Sequence, residues 1–270
     1  MVFSSKYTHS QNWNVTFGGG LNRYDGAHFG EVIWARFAGD SEFEERYYDN
    51  DAIKTDFNVY GKAQYFFNEN LSSYLDMQVR TINYEFDGVD IQNNNVVDVR
   101  GTDDIVFLNP KFGMSYLVNE GNRVFASFGV AGKEPTRSEY VESSTASRPD
   151  PERLYNIETG YRGDFGQFFV GAYGYAMLYE DQLVVTGQIN DVGGVVRQNV
   201  PKSSRLGIEL EGGVSITSNL SWAANATFSK NKIENYTEFI DDYDNGGQIE
   251  RNFSDTDIAL SPSIIANSIL

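Results

Sequence analysis

The stretch NWNVTFGGGLN, residues 12–22, alternates between apolar and polar positions along its whole length. One parity contains Trp13, Val15, Phe17, Gly19 and Leu21, whereas the other holds asparagine, threonine and glycine. Successive side chains of a β-strand point to opposite faces of the sheet. The stretch therefore predicts a strand with one apolar face and one polar face.

The same alternation recurs along the chain. It is repeated in residues 55–67, 71–80, 109–116, 205–211 and 220–229. Residues 168–179 are apolar on both parities, so their orientation stays open. The pattern indicates about eleven strands of roughly ten or more residues each, which is the length that a tilted strand needs to cross a bilayer.

The connections between these strands alternate in length. Short polar turns are predicted at residues 10–11, 68–70, 119–122, 163–166 and 217–219. Long irregular loops are predicted at residues 25–53, 85–104, 133–153, 187–196 and 232–257. Short turns at one end and long loops at the other are typical of outer-membrane β-barrels. A soluble β-sandwich, the alternative, has strands of about five or six residues and loops that are not sorted by length.

Composition excludes several classes of protein. The 270 residues include 38 acidic and 21 basic side chains, and the net charge of -17 opposes nucleic-acid binding, which needs Lys and Arg at the phosphates. The chain has no Cys, which removes disulfides, thiol catalysis and thiolate metal sites. No apolar run approaches the roughly 18 residues of a membrane-spanning helix. We predict no resident cofactor and no nucleic-acid partner.

Several motifs resemble the β-barrel of TonB-dependent outer-membrane receptors of the Bacteroidetes type. They are GGGLNRYDG at 18–26, RYYDND at 46–51, LNPKFGMSY at 108–116, EPTRSEY at 134–140, PERLYNIETGY at 151–161 and LGIEL at 206–210. The likeness extends over essentially the whole chain. Each motif is loose by itself, and their order and spacing make the resemblance specific.

The resemblance implies an all-β, antiparallel transmembrane barrel of roughly 22 strands that is closed by a plug. Residues 1–270 would form about half of that barrel, with the plug domain and the C-terminal strands lying outside them. The implied function is TonB-dependent uptake of a scarce nutrient, such as a ferric siderophore-like chelate, with no enzymatic activity.

The resemblance also implies the cell outer membrane of a Gram-negative bacterium as the location. The implied partners are membrane lipid, the plug of the same receptor, TonB through an N-terminal region outside this chain, and a small extracellular ligand. The alternative function is that of a smaller complete barrel, which acts as a passive pore or a surface adhesin.

Charged side chains on the polar parity are the candidate site residues. They are Glu158, Arg162, Arg205, Glu209 and Glu211. A charged side chain that faces lipid near mid-bilayer is costly, so these five are predicted to face the lumen. They either form a hydrated pore wall or contact the plug, and both interpretations stay open.

The sequence lacks a complete catalytic motif and a complete EF-hand motif. His9 and His28 are the only histidines, and no sequence pattern pairs them with Asp or Ser, as an omptin-like protease or a phospholipase requires. The run DDYDNGG at 241–247 does not fit the register of an EF-hand loop. A loose cation site there stays open beside a solvated acidic loop. Its candidate ligands are Glu238, Asp241, Asp242 and Asp244.

Two further groups have structural interpretations. The glycines at 18–20 lack the Lys-Ser/Thr of a phosphate-binding loop and are predicted to mark curvature or close packing in a strand. Tyr24, Tyr84, Tyr161 and Tyr179, at predicted strand ends, are expected in the interfacial aromatic girdles, with ligand-facing positions as the alternative.

Overall fold

The computed structural model describes residues 1–37, 39, 42–92, 95–98, 100–141, 143, 148–189 and 195–270. Nearly all of them lie in one antiparallel sheet. Its strands are β1 (Val2–Ser10), β2 (Trp13–Glu31), β3 (Arg46–Phe66), β4 (Leu71–Gln92), β5 (Asn95–Asp98), β6 (Gly101–Asn119), β7 (Asn122–Lys133), β8 (Glu152–Asp164), β9 (Phe168–Ile189), β10 (Val195–Thr217), β11 (Leu220–Asp241), β12 (Gln248–Asp257) and β13 (Ile264–Ile269). The helix α1 (Arg137–Val141) lies between β7 and β8. Among these residues, no helix is long and apolar enough to cross a membrane.

Strands that follow each other along the chain are neighbours in the sheet. The order is β1-β2-β3-β4-β6-β7-β8-β9-β10-β11-β12, while β5 pairs with β4 and β13 pairs with β11. The prediction of about eleven membrane-length strand positions is confirmed for the described residues. This up-and-down order with short turns is that of a barrel wall.

The register places the predicted apolar parity of the strands on a single face. Val59 lies opposite Val79, which in turn lies opposite Leu108. Lys62 lies opposite Asp76 on the other face. The apolar side chains remain largely exposed, as lipid-facing side chains of a barrel must be.

The structure orients the segment that the sequence left open. Ala172 of β9 lies opposite Leu210 on the apolar face. The alternate positions Tyr173, Tyr175 and Tyr179 therefore lie on the polar face. Aromatic rings occur on both faces of this strand, which is why hydrophobicity alone does not distinguish them.

The predicted short turns are confirmed, but the long loops were predicted too long. β2 continues to Glu31 and β3 begins at Arg46, and only residues 242–247 separate β11 from β12. Most of the stretches 25–53, 85–104 and 232–257 is thus strand rather than irregular loop. Beyond the apolar belt both faces of a strand are wet, so the alternation fades while the backbone ladder continues. Half of the predicted loop at 187–196, residues 190–194, lies outside the described residues.

Candidate functional site

All five predicted site residues lie on the polar face of β8 and β10, and two of them form an ion pair. Arg162 and Glu211 lie opposite the same residue of β9, Gly171. The Nη1 atom of Arg162 lies 2.9 Å from Oε1 of Glu211. The hydroxyl of Tyr173 donates a hydrogen bond of 2.6 Å to the same oxygen.

The other three residues line a shallow cavity of about 470 Å³ on the polar face. They are Glu158, Arg205 and Glu209. Arg205 Nη1 donates to the hydroxyl of Tyr179 over 3.0 Å, and Glu158 accepts a hydrogen bond of 2.7 Å from Asn156. The structure thus collects the five into one patch of mixed charge.

A second charged group lies on the polar face, and the sequence did not single out its residues. Arg80 of β4 donates to the carboxylate of Asp56 on β3, with a shortest distance of 2.5 Å, and to both oxygens of Glu134 over 2.9 Å. Lys54 Nζ lies 2.6 Å from Glu134 Oε1. Glu134 follows β7, so the group joins β3 and β4 to the segment that leaves the sheet after β7.

That segment, residues 134–141, crosses the polar face and is termed the strap. Its helix α1 places Tyr140 against Tyr84 and Phe86, with ring centroids 5.7 and 5.2 Å apart. The hydroxyl of Tyr140 donates to the carboxylate of Asp103. Burial and this hydrogen bond raise the pKa of Tyr140 above its ordinary value.

Glu134 is a charged carboxylate although its side chain is largely buried. Its side chain is 13% exposed. Burial by itself raises the pKa of a carboxyl, but the hydrogen bonds from Arg80 and Lys54 outweigh it and lower the pKa of Glu134 below its usual value. The sequence signals for this group were EPTRSEY and two cations on the polar parity. Glu134 contacts Arg80 and Lys54, which lie 54 and 80 residues away in the sequence, and no local pattern reveals such contacts.

The predicted aromatic girdle is wrong for three of its four tyrosines. Tyr84 is 5% exposed and packs under the strap. Tyr24, opposite Lys54, and Tyr179 also lie on the polar face, because they share the parity of its charged residues. Tyr161 lies opposite Ala172 on the apolar face. Aromatic residues of the apolar face do collect beside the short turns, at Trp13, Tyr65, Tyr116, Tyr161 and Trp222.

The acidic hairpin tip is a hydrogen-bonded turn in this structure. Asp242 accepts hydrogen bonds from the backbone N–H groups of Asp244 and Asn245 and from the Asn245 side chain, over 3.0, 3.1 and 3.0 Å. Among the described residues, no three acidic or histidine side chains lie close enough together to hold a metal ion. The loose cation site is therefore not formed, because the turn engages the Asp242 carboxylate.

The histidines do not form a site in the described part of the chain. The ring of His28 lies beside Tyr24, with Nε2 and the hydroxyl 3.3 Å apart. The side chain of His9 lies outside the described residues. Gly18, in contrast, has the packing role that was predicted, since an added Cβ would lie 2.6 Å from the hydroxyl oxygen of Tyr60.

These features define a class, the membrane-spanning antiparallel barrel wall, with its apolar face towards lipid. The family model "TonB dependent receptor-like, beta-barrel" matches residues 2–267. The chain belongs to that family.

Solved receptors share the fold. The copper transporter OprC is 13% identical with a TM-score of 0.68, and the match covers 85% of this chain and 37% of OprC. The ferric-catecholate import receptor Fiu from E. coli K12 is 16% identical with a TM-score of 0.65, covering 90% of this chain and 38% of Fiu. The siderophore receptor PiuA from Acinetobacter baumannii is 13% identical with a TM-score of 0.67, covering 99% and 42%. A comparison with curated protein sequences finds no match.

Family membership fixes the location and the orientation. Proteins of this family lie in the outer membrane of Gram-negative bacteria, and its members and the structural neighbours are receptors and transporters rather than enzymes. Short turns of such barrels face the periplasm and long loops face the outside. The chain spans about two fifths of the length of the solved receptors that it matches. A Bacteroidetes-type origin stays a prediction.

Proposed function

We propose that residues 1–270 are an internal part of the barrel of a receptor that takes up a scarce nutrient across the outer membrane with energy from TonB. The observation that carries this proposal is the family match over residues 2–267. A sheet with one lipid-compatible face and one charged face supports the proposal, because the wall of a transport barrel has lipid on one side and a polar lumen on the other. The plug of the same receptor, TonB and a small extracellular ligand are the partners of this function.

The five charged residues on β8 and β10 face the lumen in this proposal and form part of the seat of the plug. Their mixed charges suit a contact that has to hold and release. The ion pair of Arg162 and Glu211 is partly exposed, so each member remains available to a group on the plug. Glu158 and Glu209 leave two carboxylates beside the cavity, which fits cations on a plug surface.

The ligand in this proposal is a ferric siderophore-like chelate, and the charge distribution favours a neutral or cationic one. The parts beyond the apolar belt on the long-loop side lie within residues 23–55, 83–104, 133–153, 180–202 and 232–258, and their described side chains include 26 acidic and 13 basic ones. The residues outside these ranges contain 8 of each. The described outer side therefore has a net charge of -13, while the residues outside these ranges are neutral overall. A one-sign field of this kind slows the approach of anions and speeds that of cations, most strongly at low salt.

Deletion of the gene that encodes this chain tests the proposal. We expect slower growth on ferric chelates as the sole iron source, with growth on excess free iron unchanged, and the same defect in a strain that lacks TonB. Uptake should be compared for two ferric chelates of matched size, one cationic and one anionic, at low and high salt. Equal growth of the mutant on every chelate offered, together with uptake that does not need TonB, would remove the proposal.

A further inference from the structure

The strap lies across the polar face at the extracellular end of the sheet. β7 ends at Lys133, and the fully buried Pro135 follows, which has no N–H to continue a ladder. From there the strap passes over β6 and β4 and reaches β3, where Glu134 meets Lys54 and Arg137 donates to Asn50. In a barrel this is a position over the mouth of the lumen.

Side chains make the described contacts between the strap and the sheet. They comprise the ion pairs of Glu134 with Arg80 and Lys54, an ion pair of Glu139 with Arg197 of β10 over 3.7 Å, the aromatic packing of Tyr140, and the hydrogen bonds of Arg137 and Tyr140 to the wall. Contacts of this kind can break as a set without disturbing the backbone ladder beneath them. The strap is therefore separable from the wall in a way that the strands are not.

The docked arrangement leaves polar atoms unpaired at its own interface. Asn50 is 3% exposed, yet its Nδ2 has no hydrogen-bond partner among the described residues, and neither does the buried Nε of Arg137. Buried donors without partners disfavour the state that buries them. Water would satisfy both donors as soon as the strap lifts, so this contact opposes docking of the strap.

The negative charge of Glu134 favours the docked position of the strap. Lys54, Arg80, Asp56 and Glu134 together are neutral when the strap is docked. Lifting Glu134 leaves two cations beside one carboxylate on the wall, and this imbalance draws the strap back. Two opposing effects of this kind are what an element with two positions requires.

We propose that the strap moves between a docked and an undocked position, and that Glu134 is the latch that holds it docked over the mouth of the lumen. The position over a lumen rests on the proposed function above, whereas docking and undocking do not. The undocked state exposes Tyr84, Phe86 and the two cations to the mouth. In its docked position the strap, which is part of the barrel chain itself, closes the mouth of the lumen.

Accessibility of a buried strap residue tests the latch directly. Val141 is 7% exposed, and Val141→Cys leaves Glu134 and the Tyr140 stack in place. The receptor that contains this chain is labelled in outer membranes with a water-soluble maleimide. We expect slow labelling with the native latch and labelling at least about tenfold faster when Glu134→Gln is added, because a neutral amide loses the charge-assisted bonds to Arg80 and Lys54.

Glu152→Gln is the matched control. Its carboxylate is as buried as that of Glu134 and pairs with Lys133 over 2.9 Å, but across the β7–β8 ladder. Labelling of Val141→Cys should stay slow in that background. Equal acceleration by both substitutions, or by neither, would overturn the latch. A second probe, Ala52→Cys, lies on the wall in the cluster with Tyr140, where the native residue is 1% exposed. It guards against a defect of one cysteine and should show the same contrast between the two backgrounds. Labelling needs no transported ligand, so a receptor without any role in uptake would sink the proposed function and leave this result standing.

Discussion

Arg162 and Glu211 meet across a residue that has no side chain. Both lie opposite Gly171 of β9, and their charged atoms are 2.9 Å apart. A Cβ added to Gly171 would lie 2.6 Å from Cγ of Glu211 and 2.7 Å from the hydroxyl of Tyr173. The ion pair therefore depends on the glycine between its partners. Since Arg162 is 58% exposed, the pair contributes little to stability by itself.

Gly171→Val should displace the Glu211 carboxylate and separate the pair. We expect a loss in the free energy of unfolding of about 1–3 kcal/mol from overpacking, measured by urea unfolding of the receptor in lipid. Gly174→Val, three residues along the same strand, is the control. It faces lipid, where the nearest atom to an added Cβ is Thr159 Cγ2 at 3.7 Å, so it should have no such cost. Equal losses at both glycines would contradict the packing role of Gly171.

Cysteine labelling checks the assignment of faces. Val59→Cys and Trp222→Cys should react with a lipid-soluble maleimide, because both lie on the apolar face. Asn58→Cys and Asn225→Cys should react with a water-soluble reagent in receptors whose plug has been removed. Val59 and Asn58 are neighbours that differ in parity, whereas Trp222 and Asn225 differ in parity and also by three residues along β11. Similar labelling of both parities would show that the face assignment is wrong.

A charge in the middle of the apolar belt should be costly. Leu210 lies opposite Ala172 and Ala226, halfway along the lipid-facing part of β10. Leu210→Arg should lower the free energy of unfolding by about 2–4 kcal/mol. Trp222→Arg, beside a short turn, should cost only about 0–1 kcal/mol, since the penalty falls towards the interface. Asn225→Arg, on the polar face at a similar depth, is the control. A cost equal to that of Leu210→Arg would show that the face containing Leu210 is not the one that meets lipid.

The membrane-spanning part of the fold could be predicted because lipid imposes a rule on every second residue. That rule places Trp13, Val59 and Trp222 correctly. It says nothing beyond the belt, where strands β2 and β3 continue with both faces wet, and the extent of the loops was accordingly wrong. It also fails where both parities are aromatic, as in β9.

The candidate site was predicted in part for the same reason. Parity alone places Glu158, Arg162 and Glu211 on one face. The strap and its latch could not be predicted, because Glu134 meets Arg80 through the register of strands distant in sequence. Tyr84 was assigned to a girdle since nothing local shows that Tyr140 covers it.

The hairpin tip at Asp242 should lose its order in acid. Hydrogen bonds from the Asn245 side chain and from the N–H groups of Asn245 and Asp244 lower the pKa of Asp242 below its ordinary value of 3.8. A carboxyl with a lowered folded-state pKa stabilises the turn above its unfolded pKa, and this contribution is lost as the pH falls through the folded value. A spin label at Tyr243→Cys should become more mobile as the pH drops below about 4.

Asp242→Asn is the control for that titration. The amide keeps an acceptor oxygen for the backbone N–H groups but has no charge to lose. Mobility at residue 243 should then be independent of pH over the same range. A pH response that persists in Asp242→Asn would assign the effect to another group. Calcium should leave the native mobility unchanged, because the carboxylate is already engaged by the turn.

The outer strands of the described sheet have one neighbour each. β1 pairs with β2, and β12 and β13 pair with β11. The N–H and C=O groups on the free sides of these strands would meet lipid, and each unpaired group costs several kcal/mol there. Closure of the same strands on each other is opposed because strand number, shear and tilt have to agree, and the fold is that of receptors more than twice as long in sequence. We therefore expect residues 1–270, expressed by themselves, to associate edge to edge or to require further strands in trans rather than to insert as a stable monomer. The measurement is heat-modifiable migration on a gel after refolding in detergent, with circular dichroism to confirm strand content. A compact, monodisperse and heat-resistant monomer would contradict this expectation and would favour the smaller complete barrel.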